Sequence, residues 1–237
     1  MTPTSATRPR IPVTDIPAPL HVTRRGHGPR LVFVHGLDSD AGVWDPLVER
    51  LADGHECVTV DLPGHGRAPL ADDPRGYERD PIVAALADVI RDGTRPRVLV
   101  GHSLGGYLGL ALAIARPDAV DGLVCVATGP GFRDPASRER WNERVREQAP
   151  SMSIPDEAAA VGLHADSFVI DHLGDIGVPV LAIVGSDDRA YLGANDYLER
   201  KVPDIRRLTV EGGRHYVMRT HPELLADAIA SFVTEIS

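Results

Sequence analysis

The stretch Gly101-His102-Ser103-Leu104-Gly105 sets a serine between two glycines, after the apolar run Val98-Leu99-Val100 and before a long apolar segment. This spacing reads as a strand, a tight turn and a helix. The glycines carry no Cβ, so strand and helix can approach closely around the serine. A serine on such a turn has its hydroxyl held out of the sheet, above a helix N-terminus. At neutral pH a serine hydroxyl is a weak nucleophile and needs a base to take its proton. A histidine can do this and then return the proton to a leaving group. A carboxylate must hold the imidazole tautomer and stabilise its cation. Later in the chain, Gly185-Ser186-Asp187-Asp188 supplies an acid pair, and Gly213-Arg214-His215 supplies a histidine in a glycine-rich loop.

Those groups need elements to position them. Pro19 to Arg25 reads as an edge strand, and the apolar run Arg30 to Val34 as a strand buried on both faces. Trp44, Leu47, Val48 and Leu51 follow at helical spacing. Further strands are expected at Cys57 to Val60, Val98 to Val100, Leu123 to Ala127, Val178 to Val184 and Arg206 to Val210. Helices are expected from Asp80, from Tyr107 to about Arg116, from Leu192 to Lys201, and from near Pro222, the last burying Leu224, Leu225, Ile229 and Phe232. Alternating strands and helices predict an α/β fold with a doubly wound, mainly parallel sheet. In such a sheet the loops after the strands share one edge, so Ser103, the Asp pair and His215 fall on the same side. The rhythm breaks between residues 129 and 175, where Ala136 to Ala149 reads as a charged helix and no buried strand occurs.

Composition narrows the partners. The 237 residues, 43% hydrophobic and 25% charged, suit one globular domain over residues 11–237 behind a disordered tail at 1–10. A net charge of −9, with no Lys/Arg-rich run, argues against a nucleic-acid or anionic membrane partner. No apolar run approaches the ~20 residues of a membrane span, and the N-terminus lacks a signal-like apolar core, so a cytoplasmic location is expected. Cys57 and Cys125 lie in apolar runs and are expected as buried free thiols. No histidine pair has the spacing of a zinc site, and the glycine-rich loops lack a phosphate-binding pattern; no metal and no cofactor are expected.

Together, His35-Gly36, Asp61-Leu62-Pro63-Gly64-His65-Gly66, the serine turn, Gly185-Ser186-Asp187-Asp188 and Gly213-Arg214-His215 resemble, in order, the α/β-hydrolase family. The resemblance runs from about residue 19 to the C-terminus. It implies Ser103 as nucleophile, His215 as base and Asp188, rather than Asp187, as the orienting acid. It also implies an oxyanion hole from the backbone N–H groups of Leu37 and Leu104. The segment 129–175 then becomes a short helical cap inserted before the acid-bearing strand, with Phe132, Trp141 and Phe168 as candidate pocket residues.

The resemblance further implies a serine hydrolase acting on a small or medium carboxylic ester, thioester or lactone, a small-molecule partner, and a monomer or homodimer. The serine at the turn argues against relatives with an aspartate nucleophile, and His35-Gly36-Leu37-Asp38 differs from the His-Gly-Gly-Gly oxyanion loop of some lipases. Non-hydrolytic or C–C bond-cleaving chemistry on the same scaffold, as a lyase, cyclase or acyltransferase, is the alternative.

Overall fold

The computed structural model describes residues 15–237; the tail expected at 1–10 lies outside them. Seven strands build one sheet: β1 (His21–Arg25), β2 (Arg30–Val34), β3 (Glu56–Asp61), β4 (Val98–His102), β5 (Gly122–Val126), β6 (Val180–Gly185) and β7 (Ile205–Val210). Their order is β1-β3-β2-β4-β5-β6-β7. Only the β1–β3 pairing is antiparallel; all others are parallel.

The apolar runs are explained by two covered faces. Along β2, Val32 and Val34 join a cluster with Ile82 and Leu86 of α2 (Arg79–Arg91), Leu108 and Leu112 of α3 (Leu104–Ala115) and Leu198 of α6 (Arg189–Lys201). Leu31 and Phe33 point to the other face, against Leu47 and Leu51 of α1 (Asp45–Leu51) and Leu225, Ile229 and Phe232 of α8 (Pro222–Glu235). Successive side chains of a strand point to opposite faces, so a strand between two helical layers must be apolar throughout. Cys57 and Cys125 are buried free thiols within it.

Three details differ from the sequence expectations. Leu224 is 44% exposed, because the buried stripe of α8 runs through Leu225, Ile229 and Phe232, one residue further round the helix. Helix α3 begins at Leu104, immediately after the serine, and α6 begins at Arg189, immediately after Asp188. Both early starts follow from the turns: in each case the residue ending the loop is the helix N-cap.

Between β5 and β6 the chain forms α4 (Pro135–Gln148), short 3-10 turns and α5 (Phe168–Asp171). Trp141, Val145, Ala149 and Ala159 pack together here, with Leu37 of the main body against them. A second tie is polar: the Ser153 N–H donates to Asp38 Oδ1 at 2.6 Å. The last helical turn, α7 (Val217–Thr220), follows the His215 loop. Among the described residues, no helix is long and apolar enough to cross a membrane.

Candidate active site

Ser103 sits at the end of β4 with φ 50° and ψ −111°, a region L-residues rarely occupy. Such a conformation costs about 1–3 kcal/mol and persists only where the surroundings enforce it. Here its N–H donates to Val126 O at 2.9 Å, and its carbonyl accepts from Tyr107 N–H at 3.1 Å. The Thr128 hydroxyl donates to the same carbonyl at 3.2 Å. The flanking glycines are required by contact: a Cβ at Gly101 would lie 2.3 Å from Gly105 C, and one at Gly105 would lie 2.1 Å from Val34 O.

The loops after β6 and β7 bring an acid to a histidine. His215 Nδ1–H donates to Asp188 Oδ2 at 2.9 Å. Asp188 is 7% exposed, whereas its neighbour Asp187 is exposed. Two backbone links stitch the loops together: Asp187 N–H donates to Gly213 O at 2.9 Å, and Gly212 N–H to Ser186 Oγ at 2.8 Å. Asp187 thus contributes its backbone to the loop, and Asp188 contributes its carboxylate to the histidine.

Two residues gain importance that sequence reasoning did not give them. Tyr191, in the first turn of α6, places its hydroxyl 3.3 Å from Ser103 Oγ, and its ring stacks on His215 at 4.6 Å. Burial raises the Tyr191 phenol pKa, against the lowering effect of its bond to Ser103, so the phenol stays protonated. His102, within the serine turn, donates from Nε2 to the His215 carbonyl at 3.0 Å. Burial, reinforced by the nearby His215, pushes His102 down to about 3, so this ring stays neutral beside the candidate base. His35 is pushed down to about 4, also chiefly by burial; its Nδ1–H donates to Gly36 O at 2.7 Å, and its Nε2 accepts from Leu62 N–H at 3.0 Å. This ring braces the turn that carries Leu37.

Two cavities meet at Ser103 and share Leu37, Trp141 and Tyr191. One, of about 340 Å³, is walled mainly by apolar and aromatic groups, with Leu104, Tyr107, Phe132 and His164 among them. The other, of about 390 Å³, is more polar and includes Asp38, His102, His215 and Tyr216. Leu37 and Leu104 both border the first cavity, and Leu104 is the first residue of α3, where helical N–H groups lack intrahelical partners.

Of the three aromatic residues expected in a pocket, Phe132 and Trp141 line the first cavity. Phe168 lines neither; its ring contacts His172 at 4.9 Å and carries the Arg79 guanidinium 4.9 Å above its face. Its helix, α5, packs on α3 rather than over the serine, so the aromatic ring serves the Arg79 ion-pair cluster instead. Among the described residues, no group of three or more His, Cys, Asp or Glu side chains is arranged to hold a metal ion.

The alpha/beta hydrolase family model matches residues 31–228. A pimeloyl-[acyl-carrier protein] methyl ester esterase of Xanthomonas campestris pv. campestris is 30% identical over 259 aligned positions, covering 92% of this chain and 100% of the relative. A 2-(acetamidomethylene)succinate hydrolase of Mesorhizobium japonicum is 28% identical over 258, covering 90% and 91%. Among solved structures, MenH from S. aureus superposes with a TM-score of 0.80 at 19% identity, covering 91% of this chain and 98% of its own.

Proposed function

This chain belongs to the alpha/beta hydrolase family, and from that premise we propose that it is a serine esterase working through an acyl-serine intermediate. The observation that carries the reading is the paired cavity at Ser103. A leaving alkoxide must be protonated by the base, and His215 borders the polar cavity and not the apolar one. The acyl half then belongs in the apolar cavity and the alcohol half beside His215.

In this mechanism His215 Nε2 takes the Ser103 proton as Oγ attacks the carbonyl carbon. The Asp188 carboxylate keeps the His215 proton on Nδ1 and stabilises the imidazolium. The N–H groups of Leu37 and Leu104 receive the oxyanion, an interaction stronger in the transition state than in the bound ester. His215 gives its proton to the departing alcohol, takes one from the water that attacks the acyl-serine, and returns it to Ser103 Oγ as the Oγ–acyl bond breaks and the acid leaves. The neutral His102 beside it adds no repulsion when His215 becomes cationic. The short cap and the cavity volume favour a small or medium acyl group.

Of the two relatives described above, one is named as a hydrolase and the other as a methyl ester esterase. A fluorophosphonate probe with intact-mass detection, followed by a panel of short esters, thioesters and lactones, tests the reading. A stoichiometric adduct on wild type and none on Ser103→Ala, with ester turnover, is expected. An adduct without release of acid to water would turn the reading toward acyl transfer. No adduct and no turnover would reject it.

A further inference from the structure

The wall of the apolar cavity carries several polar groups, the exposed Arg144 among them, and one of them, on His164, is unpaired. His164 is 8% exposed and lines the cavity, yet its Nδ1 is buried without a hydrogen-bond partner. Buried polar atoms are almost always paired, because an unmade bond leaves the desolvation cost uncompensated. The residue is held firmly in this position. The Asn142 side chain clamps its backbone twice, donating from Nδ2 to His164 O at 3.0 Å and accepting from His164 N–H at 2.9 Å. Tyr107 packs on the ring edge-on at 4.4 Å, Phe132 at 5.4 Å and Trp141 at 6.0 Å.

The backbone also comes close to this ring edge. Gly131, another cavity residue, has φ +82°, and a Cβ there would lie 3.0 Å from His164 Nδ1 and 3.2 Å from Cε1. A side chain at 131 would crowd the ring.

We propose that His164 is the polar anchor of the acyl cavity and that the preferred substrates carry a neutral hydrogen-bonding group, a hydroxyl or a carboxamide, on the acyl half. This deepens, and rests on, the esterase reading. Burial first, with Arg79 and Arg138 adding to it, pushes His164 down to about 4, so the ring is uncharged at neutral pH. A neutral imidazole offers one N–H donor and one lone pair, which suits a hydroxyl or amide; a carboxylate would find its charge partner in Arg144, which lines the same cavity, and not in His164. An apolar chain fills the same space but leaves Nδ1 unpaired. Sites built to hydrogen-bond a substrate group discriminate strongly against analogues lacking it.

The test measures kcat/KM for methyl hexanoate, methyl 3-hydroxyhexanoate, methyl 6-hydroxyhexanoate, methyl 3-acetamidopropanoate and monomethyl adipate. Wild type should prefer at least one hydroxyl or amide ester over hexanoate by roughly tenfold or more. Because the preference is a ratio within one protein, it is unaffected by changes in the fraction of active enzyme. In His164→Phe the ratio should fall toward one; in His164→Gln, which keeps donor and acceptor, part of it should remain. The proposal is overturned if wild type favours hexanoate or monomethyl adipate over every hydroxyl and amide ester, or if the ratio survives in His164→Phe. Wild type that hydrolyses none of the five rejects the esterase reading itself, and the proposal with it. Turnover of hexanoate without a polar preference rejects the proposal alone. Should His164→Phe fail to fold, the wild-type ranking and His164→Gln still decide.

Discussion

The Tyr191 hydroxyl lies 3.3 Å from Ser103 Oγ. Its ring meanwhile stacks on His215 at 4.6 Å, with the planes 25° apart. One side chain therefore touches both the candidate nucleophile and the candidate base. Tyr191→Phe keeps the stack and removes only the hydrogen bond. A neutral hydrogen bond is worth about 0.5–1.5 kcal/mol, so kcat/KM for an activated ester should fall by about two- to tenfold. Tyr191→Ala also removes the stacked face and should fall further. Steady-state kinetics on the two variants checks both; a Phe variant as fast as wild type would mean the hydroxyl has no part in the rate.

Ser103→Ala removes the proposed nucleophile and should lower kcat by about 10⁴-fold or more, with no fluorophosphonate adduct. Alanine keeps the Cβ, so the strain at φ 50° stays and the melting temperature should remain close to that of wild type. Intact-mass spectrometry and thermal melting read the two quantities separately.

The two aspartates separate cleanly. Asp188→Asn retains the shape but no longer holds the His215 tautomer, so kcat should drop by about 10⁴-fold. Asp187, exposed and tied in through its backbone, should tolerate Asn with a change of no more than a few-fold. A rate profile with the order reversed would transfer the acid role to Asp187.

Four buried rings set a pH dependence of stability, His65 among them, lowered chiefly by burial. His35 and His164 are pushed from 6.5 down to about 4, and His102 to about 3, burial being the largest cause in each. The unfolded chain protonates these rings as pH falls through 6.5, while the folded chain keeps them neutral. The unfolded state then binds more protons, so stability present above pH 6.5 is lost as pH falls toward 4. Urea unfolding at pH 7.5 and pH 5.0 should show a clear loss at the lower value, with a shallower slope in His164→Gln. Equal stability at the two pH values would contradict this.

Gly105→Ala should be severe although it adds a single methyl. The new Cβ would lie 2.1 Å from Val34 O, backbone that cannot move without shifting β2. Overpacking of this kind costs about 1–3 kcal/mol or more. Thermal melting and esterase assay should fall together, since the displaced strand also carries His35, Gly36 and Leu37 at its end. Unchanged melting would show that the turn has slack the contacts do not suggest.

Sequence alone determined the strand and helix order, the parallel sheet and the edge on which Ser103, Asp188 and His215 would gather. The physical reason is that these depend on local signals: continuous apolar runs, glycines at forced approaches and loops that must follow strands. The tertiary structure decided what is brought together across the chain. Tyr191 was invisible as a partner because its role depends on α6 starting one residue after Asp188 and on the distance to a serine 88 positions earlier. Phe168 looked like a pocket residue by type, yet α5 packs on α3 and gives its ring to Arg79. Leu224 looked like core by type, yet it sits one residue off the buried stripe of α8. His164 had no sequence signature at all. Its meaning comes from burial, an unpaired nitrogen and the close approach of Gly131, which arise only when segments distant in sequence close around one cavity.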